Sequence, residues 1–429
     1  MENKKTIGFW SAVSIGIGGM VGGGIFAVLG LAVNLSHGGA PIAFIIAGLV
    51  ALVTAYSYSK LSVSFPSSGG TVEFLNQGLG TGILTGGLNI LLWISYVVML
   101  SLYSYAFGSY GATFFPENDQ TFWRHILTSA IIISFTLLNF LSAKVVGKSE
   151  EIIVVIKIVI LGVFAAVGFW SVQFDEFEPS TWSPPITLMA GGMIIFLAYE
   201  GFELIANTAG DIQNPKKNLP RAFYTAVLFV IGLYVMVSIV TVGNLSVDKI
   251  VESRDFALAE SAKPFLGQIG FVIIAIAALL STGSAINATL YGASRISYII
   301  AKTGELPKYL EQKIWNKPIE GLVITSILTL VIANLFDLAS IAVIGSGGFL
   351  LIFAAVNFAN FRLHKKTHSR KWISLIGCIG CLIALSVLIW ESKITSPENM
   401  WIFVIMVSLA FIIEIIYRKI ANRDHKCYF

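Results

Sequence analysis

Charged residues are scarce in this 429-residue sequence. Asp, Glu, Lys and Arg make up 12% of it, while apolar residues make up 56%. Soluble domains carry about 25% charged residues. A soluble enzyme or binding module is therefore excluded, because too few polar side chains remain to cover a surface in water. The composition indicates an integral membrane protein whose partner is the lipid bilayer.

Cysteine and histidine, which often bind metals or act in catalysis, are also rare, with three and five copies. Cys378 and Cys381 lie about one helical turn apart in an apolar run without a nearby His, so packing is favoured over metal binding. The histidines lie at the ends of apolar runs, in loops or in the tail: His37, His125, His364, His368 and His425. We therefore expect no metal, no cofactor and no enzymatic activity.

Long apolar runs dominate the rest of the sequence, and about 20 apolar residues are enough to cross a bilayer as a helix. Twelve such stretches are present, at residues 8–30, 40–60, 83–112, 124–143, 151–171, 187–209, 222–243, 266–299, 321–336, 339–361, 372–390 and 400–417. Little of the chain remains for a soluble domain. The sequence predicts an all-α, multi-pass integral membrane protein with twelve transmembrane helices.

The basic residues indicate the orientation of these helices. With both chain ends on one side, that side collects most of the Lys and Arg residues, including Lys4, Lys5 and the basic cluster at 362–371. The other side receives only Arg124, Lys249, Arg254, Lys263 and Lys393. By the positive-inside rule, we expect both termini in the cytoplasm and the protein in the cytoplasmic membrane. The net charge of +4 reflects this topology, and no nucleic-acid partner is indicated.

Glycine is concentrated where a spanning helix has little use for it. Residues 16–26, G-I-G-G-M-V-G-G-G-I-F, hold six glycines within the first apolar stretch. Each interior glycine costs a helix roughly 0.8 to 1.0 kcal/mol relative to alanine, so the cluster predicts a break. Backbone groups freed inside a bilayer need protein partners or a polar cavity, and such broken helices typically hold a small ligand near the midplane. The alternative is a small-residue face that lets neighbouring helices approach closely.

The sixth apolar stretch contains a second candidate break. Residues 191–207, G-G-M-I-I-F-L-A-Y-E-G-F-E-L-I-A-N, place Glu200, Gly201 and Glu203 in hydrophobic sequence. Carboxylates are costly inside a bilayer. Either they face water or partners within the bundle, or the helix opens at this point.

The positions of the two breaks predict an inverted repeat. If spans one to five and six to ten are two inverted units, each unit begins with a broken helix, and the breaks face each other at the midplane. This organisation predicts a transporter core over residues 1–362, with repeats at about 8–171 and 187–361. Helices eleven and twelve and a cytoplasmic tail then occupy residues 363–429.

Polar side chains in three other spans are candidates for the same site. In the third span, Tyr96 and Tyr103 belong to an aromatic stripe at helical spacing, and they either contact a ligand or pack in the core. Lys157 lies within the fifth span and either carries a proton or extends back to the membrane interface. Ser281 and Ser284 belong to a polar stripe on the eighth span, which either lines a pathway or joins helices.

Four motifs, in this order, resemble the amino acid/polyamine/organocation superfamily of secondary transporters. They are V-G-G-G-I-F in the first span, F-P-S-S-G-G after the second, A-Y-E-G-F-E with N-P-K-K-N-L-P-R-A around the sixth, and N-A-T-L-Y-G-A-S-R with G-E-L-P-K at the eighth. The resemblance covers nearly the whole chain. It implies a five-plus-five inverted-repeat fold with broken helices one and six and two additional helices.

The resemblance also implies a substrate site at the two breaks. In the family, backbone N–H groups at the first break bind the substrate α-carboxylate, and carbonyl groups at both breaks bind the α-ammonium. With the two tyrosines, the predicted substrate-binding residues are Met20, Gly22, Gly23, Gly24, Tyr96, Tyr103, Phe196, Leu197, Tyr199, Glu200 and Gly201. Many relatives carry Ser or Thr in place of Gly23, so a hydroxyl that would bond to the carboxylate is missing here.

In proton-coupled members of the superfamily, a Lys of helix five takes the place of a bound sodium ion between helices one and eight. Lys157 matches that position, which favours a coupling role, with Gly18 and the turn from Ser281 to Ser284 as neighbours. Glu203 matches an acidic residue that is frequent in the family, and we assign it to the coupling group. Glu200 is less usual, and would favour a cationic substrate side chain or join the proton network.

We therefore expect a secondary active transporter that moves neutral or assorted amino acids by proton-coupled symport. Its partners would be an amino acid and protons. An exchanger of cationic amino acids or polyamines is the alternative, motivated by Glu200. A membrane nutrient sensor that uses the same pocket is an alternative from another class, although the sequence contains no soluble signalling domain.

Overall fold

A computed structural model describes residues 6–141, 146–302, 304 and 319–421. In these ranges the chain forms eighteen α-helices joined by turns and short 3-10 segments, with two isolated β-bridges and no strand, which confirms the all-α prediction. The first half contains α1 Phe9–Met20, α2 Gly24–Ser36, α3 Ala40–Ser64, α4 Thr71–Leu79, α5 Ile83–Ala112, α6 Gln120–Leu141, α7 Val146–Gly168, α8 Pro185–Tyr199 and α9 Leu204–Asn207. The second half contains α10 Pro215–Asn244, α11 Val247–Glu252, α12 Ala257–Glu260, α13 Lys263–Lys302, α14 Ile319–Leu335, α15 Leu338–Arg362, α16 His364–Thr367, α17 Lys371–Thr395 and α18 Pro397–Ala421.

As far as the structure describes them, the twelve predicted apolar stretches each lie mostly on one or two of these helices. Within the described ranges, ten spans are long and apolar enough to cross a membrane, counting α8 and α9 together as one. The bent pair α1 and α2 forms an eleventh, and α14, with 17 residues, is shorter. The count of twelve, the inverted repeat and the division at residue 362 stay predictions.

The spans differ sharply in how deeply the protein buries them. In their most apolar 18-residue windows, 83% of the residues of α5, 89% of the sixth span and 78% of α15 are buried. The corresponding shares are 11% for α6 and 22% for α18. Inside a bilayer, exposed apolar side chains face lipid tails. The sixth span and α5 therefore lie in the interior, where a site can form, while α6 and α18 lie at the lipid-facing periphery.

The link after the second span folds against the sixth. It turns at Gly70, whose φ of 47° is a conformation that glycine adopts more easily than other residues. A Cβ at Gly70 would overlap the side chain of Asn207, the last residue of α9. The short helix α4 that follows packs mainly against α15 and α5.

Candidate functional site

The first span is broken where the glycines predict it. Helix α1 ends at Met20, α2 begins at Gly24, and the two helices meet at an angle of 47°. Residues 20–33 are all buried. The prediction of a break is confirmed, and the break lies inside protein, as the lack of backbone partners in lipid requires.

The sixth span is also interrupted, at the two glutamates. Helix α8 ends at Tyr199, Glu200 is extended with a ψ of 152°, and α9 begins at Leu204. Gly201 has a φ of 114°, a conformation that side chains rarely permit. The second predicted break is therefore confirmed, and a glycine at its centre makes it possible.

The two breaks touch each other. A Cβ added to Gly19 would lie 2.7 Å from the Gly201 carbonyl oxygen, and one added to Gly201 would lie 2.5 Å from the Gly19 carbonyl carbon. Backbone packs directly on backbone here, which only glycine allows. Both interpretations of the glycine cluster therefore hold, because the same residues loosen the helix and permit the close approach.

Side chains of two other helices, α7 and α13, bind carbonyl groups of the first break. The Lys157 ammonium donates to the Gly18 oxygen at 3.1 Å. The Ser281 hydroxyl lies 3.0 and 2.6 Å from the Val21 and Gly22 oxygens. Lys157 is only 1% exposed, so its ammonium lies within the bundle and not at the membrane interface. Ser284 lies half-buried three residues further along α13, and its role stays a prediction.

Tyr234, on α10, links the two broken spans. Its hydroxyl lies 2.7 Å from the Met20 oxygen and 3.2 Å from the Ala198 oxygen, and donates its proton to one or the other. The side chain is fully buried. Sequence reasoning missed this residue, because a lone tyrosine in an apolar span carries no signal that separates it from a core residue.

The N–H groups of the first break remain available. Among the hydrogen bonds of the described residues, none has the backbone N–H of Gly22, Gly23 or Gly24 as its donor. The Tyr103 ring lies over this stretch, since a Cβ on Gly22 would be 3.6 Å from the ring and one on Gly23 would overlap it. Buried unpaired N–H groups are rare in proteins, so this glycine turn is a candidate anion-binding site.

The second break holds a pair of buried carboxyl groups. Glu200 is 2% exposed and Glu203 is fully buried. Glu203 accepts from the Tyr96 hydroxyl at 3.0 Å and from its near neighbour, the Gly201 N–H, at 2.6 Å. Each oxygen of Glu203 thus has a donor, and one of the two donors comes from the opened backbone itself.

A cavity of about 570 Å³ lies beside the two breaks. It extends to the protein face at which α1 begins and α13 ends, where Thr6, Ile7 and Arg295 line it. Of the predicted site residues, Gly18, Tyr96, Tyr103, Glu200, Gly201 and Glu203 line this cavity. The cavity is large enough for a small solute and reaches both breaks from one side of the protein.

The other predicted site residues lie outside the cavity wall in this arrangement. Phe196, Leu197 and Tyr199 are fully buried in α8, and the Tyr199 hydroxyl donates to the Phe44 oxygen. Met20, Gly22, Gly23 and Gly24 lie behind the cavity wall, and Lys157 and Ser281 contact the first break. Their substrate and coupling roles stay predictions. Cavity residues that sequence reasoning missed include Asn207, Thr289 and Arg295.

Comparisons with known proteins agree with this architecture. The model of a family described as amino acid permease matches residues 7–411. An uncharacterized protein of Methanocaldococcus jannaschii is 38% identical over 427 residues, which cover 99% of this chain and 97% of the relative. The inner membrane transport protein YbaT of Escherichia coli is 35% identical, with 90% of each chain covered. The methylthioribose transporter of Bacillus subtilis is 26% identical, with 97% of this chain and 94% of the relative covered.

Proposed function

The chain belongs to the amino acid permease family of membrane transporters, and on this premise we propose that it carries neutral or assorted amino acids into the cell together with protons. The contact between the two breaks is the observation that carries the proposal, because it brings opened backbone from both broken spans to one point beside a cavity. Broken helices that meet in this way typically form the binding site of a secondary transporter.

The chemistry of the two breaks fits an amino acid. The free N–H groups of Gly22, Gly23 and Gly24 would bind the substrate carboxylate, and carbonyl oxygens near the end of α1 and the end of α8 would bind its ammonium. In the present arrangement the Tyr103 ring separates the glycine turn from the cavity. Entry of a carboxylate would therefore require this ring to move aside.

Lys157 would supply the coupling to protons. Its ammonium, buried and bonded to the Gly18 oxygen, attaches α7 to the first broken span. Loss of the proton would remove the charge that strengthens this bond, and would weaken the attachment. A change in protonation would thus shift the balance between two arrangements of the spans, as alternating access requires.

The open side of the cavity would be the cytoplasm. The positive-inside rule places the face at which α1 begins there. On the opposite side of the break, residues 24–33 of α2 are buried, and α2 packs against α8, α11 and α12. The pathway is therefore open on one side and closed on the other, in an arrangement that would release substrate inward.

Uptake into proteoliposomes tests this proposal. An inward proton gradient without sodium should drive the uptake of labelled alanine above the level reached without a gradient. A panel of twenty amino acids, two polyamines and methylthioribose, added as competitors, then defines the substrate range. Uptake that follows a sodium gradient and ignores the proton gradient would reject the coupling, and competition by methylthioribose alone would reject the substrate class.

A further inference from the structure

Glu203 and Glu200 differ in the partners of their carboxyl groups. The two oxygens of Glu203 accept hydrogen bonds from the Tyr96 hydroxyl and the Gly201 N–H, so each has a donor. Among the hydrogen bonds of the described residues, none has a donor that reaches Glu200, although its side chain is only 2% exposed. An ionised carboxylate only accepts, and burying it without donors is costly. The donors therefore favour an ionised Glu203, and Glu200 is the member of the pair that burial favours as a neutral acid.

The charged and titratable groups around the pair agree with a single negative charge. Of the residues that the structure describes, no Lys, Arg or His forms an ion pair with either glutamate. Lys157 of α7 bonds to the Gly18 oxygen, and Arg295 of α13 lies at the exposed mouth of the cavity. The remaining titratable groups near the pair are the phenols Tyr58 of α3 and Tyr96 and Tyr103 of α5. Two buried carboxylates without a cation repel each other strongly, so one of them holds a proton.

We propose that Glu200 is the residue that sets the charge preference of the cavity, and that it does so as a neutral, protonated acid. The single negative charge of the pair is then on Glu203, which Tyr96 and Gly201 bind. The wall that Glu200 presents to the substrate side chain carries no charge. The cavity accordingly selects amino acids with neutral side chains over cationic ones. This inference rests on the proposed function for the substrate, but the proton on Glu200 can be measured without any transport.

Infrared spectroscopy of the purified protein in lipid measures the proton directly. The carbonyl band of protonated carboxyl groups should be present in the wild type at pH 7. In Glu200→Gln the intensity of this band should fall by the amount that one protonated carboxyl group contributes. Glu414→Gln is the matched control, because Glu414 is a buried carboxyl group of α18 that packs against Gly86, away from the cavity. Its difference spectrum should lack the component that Glu200→Gln removes. An unchanged band in Glu200→Gln would overturn the proposal.

The wild type alone provides a second measurement if Glu200→Gln does not fold. Dicyclohexylcarbodiimide reacts with protonated carboxyl groups in apolar surroundings, and mass spectrometry of the peptides locates the adduct. We expect modification of Glu200 and not of Glu203. Modification of Glu203 alone, or of neither residue, would contradict the assigned proton position.

Competition measures the consequence for specificity. Gln is neutral and has the shape of protonated Glu, so the ratio of lysine to alanine competition in Glu200→Gln should stay within twofold of the wild type. A tenfold loss of lysine competition in this variant would show that Glu200 is ionised and binds cations. If no proton-driven uptake is found at all, the proposed function fails while the infrared result still stands.

Discussion

The two breaks meet at one point but are stabilised in opposite ways. The first break consists of glycine and apolar residues, and its carbonyl groups bond to Lys157, Tyr234 and Ser281, which come from three other helices. The second break carries its own polar groups, since Glu203 accepts from Gly201 only two residues away and from Tyr96. A shift of one of these neighbouring helices would therefore act directly on the carbonyl groups of the first break. The second break supplies part of its own polar contacts, and Tyr96 and Tyr234 add contacts from two other helices.

The largest expected effect comes from separating the two breaks. Gly201→Ala places a Cβ at a φ of 114° and 2.5 Å from the Gly19 carbonyl carbon, so the backbones must move apart. The positive φ alone costs about 1 to 3 kcal/mol. We expect uptake in proteoliposomes to fall more than about tenfold and the apparent melting temperature to drop.

Gly162→Ala is the matched control for this variant. Gly162 lies within α7, and a Cβ there meets no atom within 4 Å. Helix propensity predicts a stabilisation of up to about 1 kcal/mol. Equal uptake by Gly201→Ala and wild type would show that the contact between the breaks is dispensable.

The second effect tests whether the positive charge of Lys157, on α7, is needed to hold the first break. Lys157→Gln keeps a donor for the Gly18 oxygen but removes the charge. A hydrogen bond to a charged group contributes about 1.5 to 3 kcal/mol, so proton-driven uptake should fall at least about tenfold and its pH dependence should disappear. Uptake measured from pH 5 to pH 8 checks this. A pH profile like that of the wild type would assign Lys157 a packing role only.

A smaller effect is expected from the hydroxyl that links both breaks. Tyr234→Phe removes the donor to Met20 and Ala198, and a neutral hydrogen bond contributes about 0.5 to 1.5 kcal/mol. Initial uptake rates should fall about twofold to tenfold. Tyr110→Phe is the control, because this buried hydroxyl bonds to the Phe26 oxygen within α2 and not to a break. Equal losses in the two variants would mean that the link has no special role.

The smallest effect concerns a buried carboxyl group outside the membrane-spanning segments. It tests whether burial of a carboxyl group, which is a feature of the second break, affects stability there as well. Glu73 lies on α4, and burial raises the pKa of its carboxyl group, against a hydrogen bond from Gln77 that lowers it. Because its pKa is raised, Glu73 binds a proton more tightly in the folded protein than in the unfolded chain. Its contribution to the free energy of unfolding therefore decreases as the pH rises from the ordinary pKa of a glutamate through the raised pKa of the folded state.

Glu73→Gln removes this dependence. We expect its apparent melting temperature to match that of the wild type at pH 4 and to exceed it by less than about 3 °C at pH 8. The exposed Glu398→Gln is the control and should show no such pH-dependent gain. A gain at pH 4 that vanishes at pH 8 would contradict the sign.

Much of the fold follows from local sequence. The apolar stretches are largely helical where the structure describes them, because a segment of about 20 apolar residues in lipid must satisfy its backbone hydrogen bonds internally. The breaks were predictable for the same reason, since glycine weakens a helix wherever it lies and carboxylates resist burial. The family membership likewise follows from sequence over residues 7–411.

The sequence by itself thus determined that this is a helical membrane transporter with interruptions near residues 22 and 201. Only the tertiary structure decided which groups hold those interruptions. Tyr234 lies 214 positions from Met20, Ser281 lies 260 positions from Val21, and Lys157 lies 139 positions from Gly18. Hydropathy and propensity act over one or two helical turns, whereas these contacts depend on how distant helices pack. For that reason the structure was needed to place Lys157 inside the bundle, to find Tyr234, and to bring Glu200 and Glu203 together on one cavity wall.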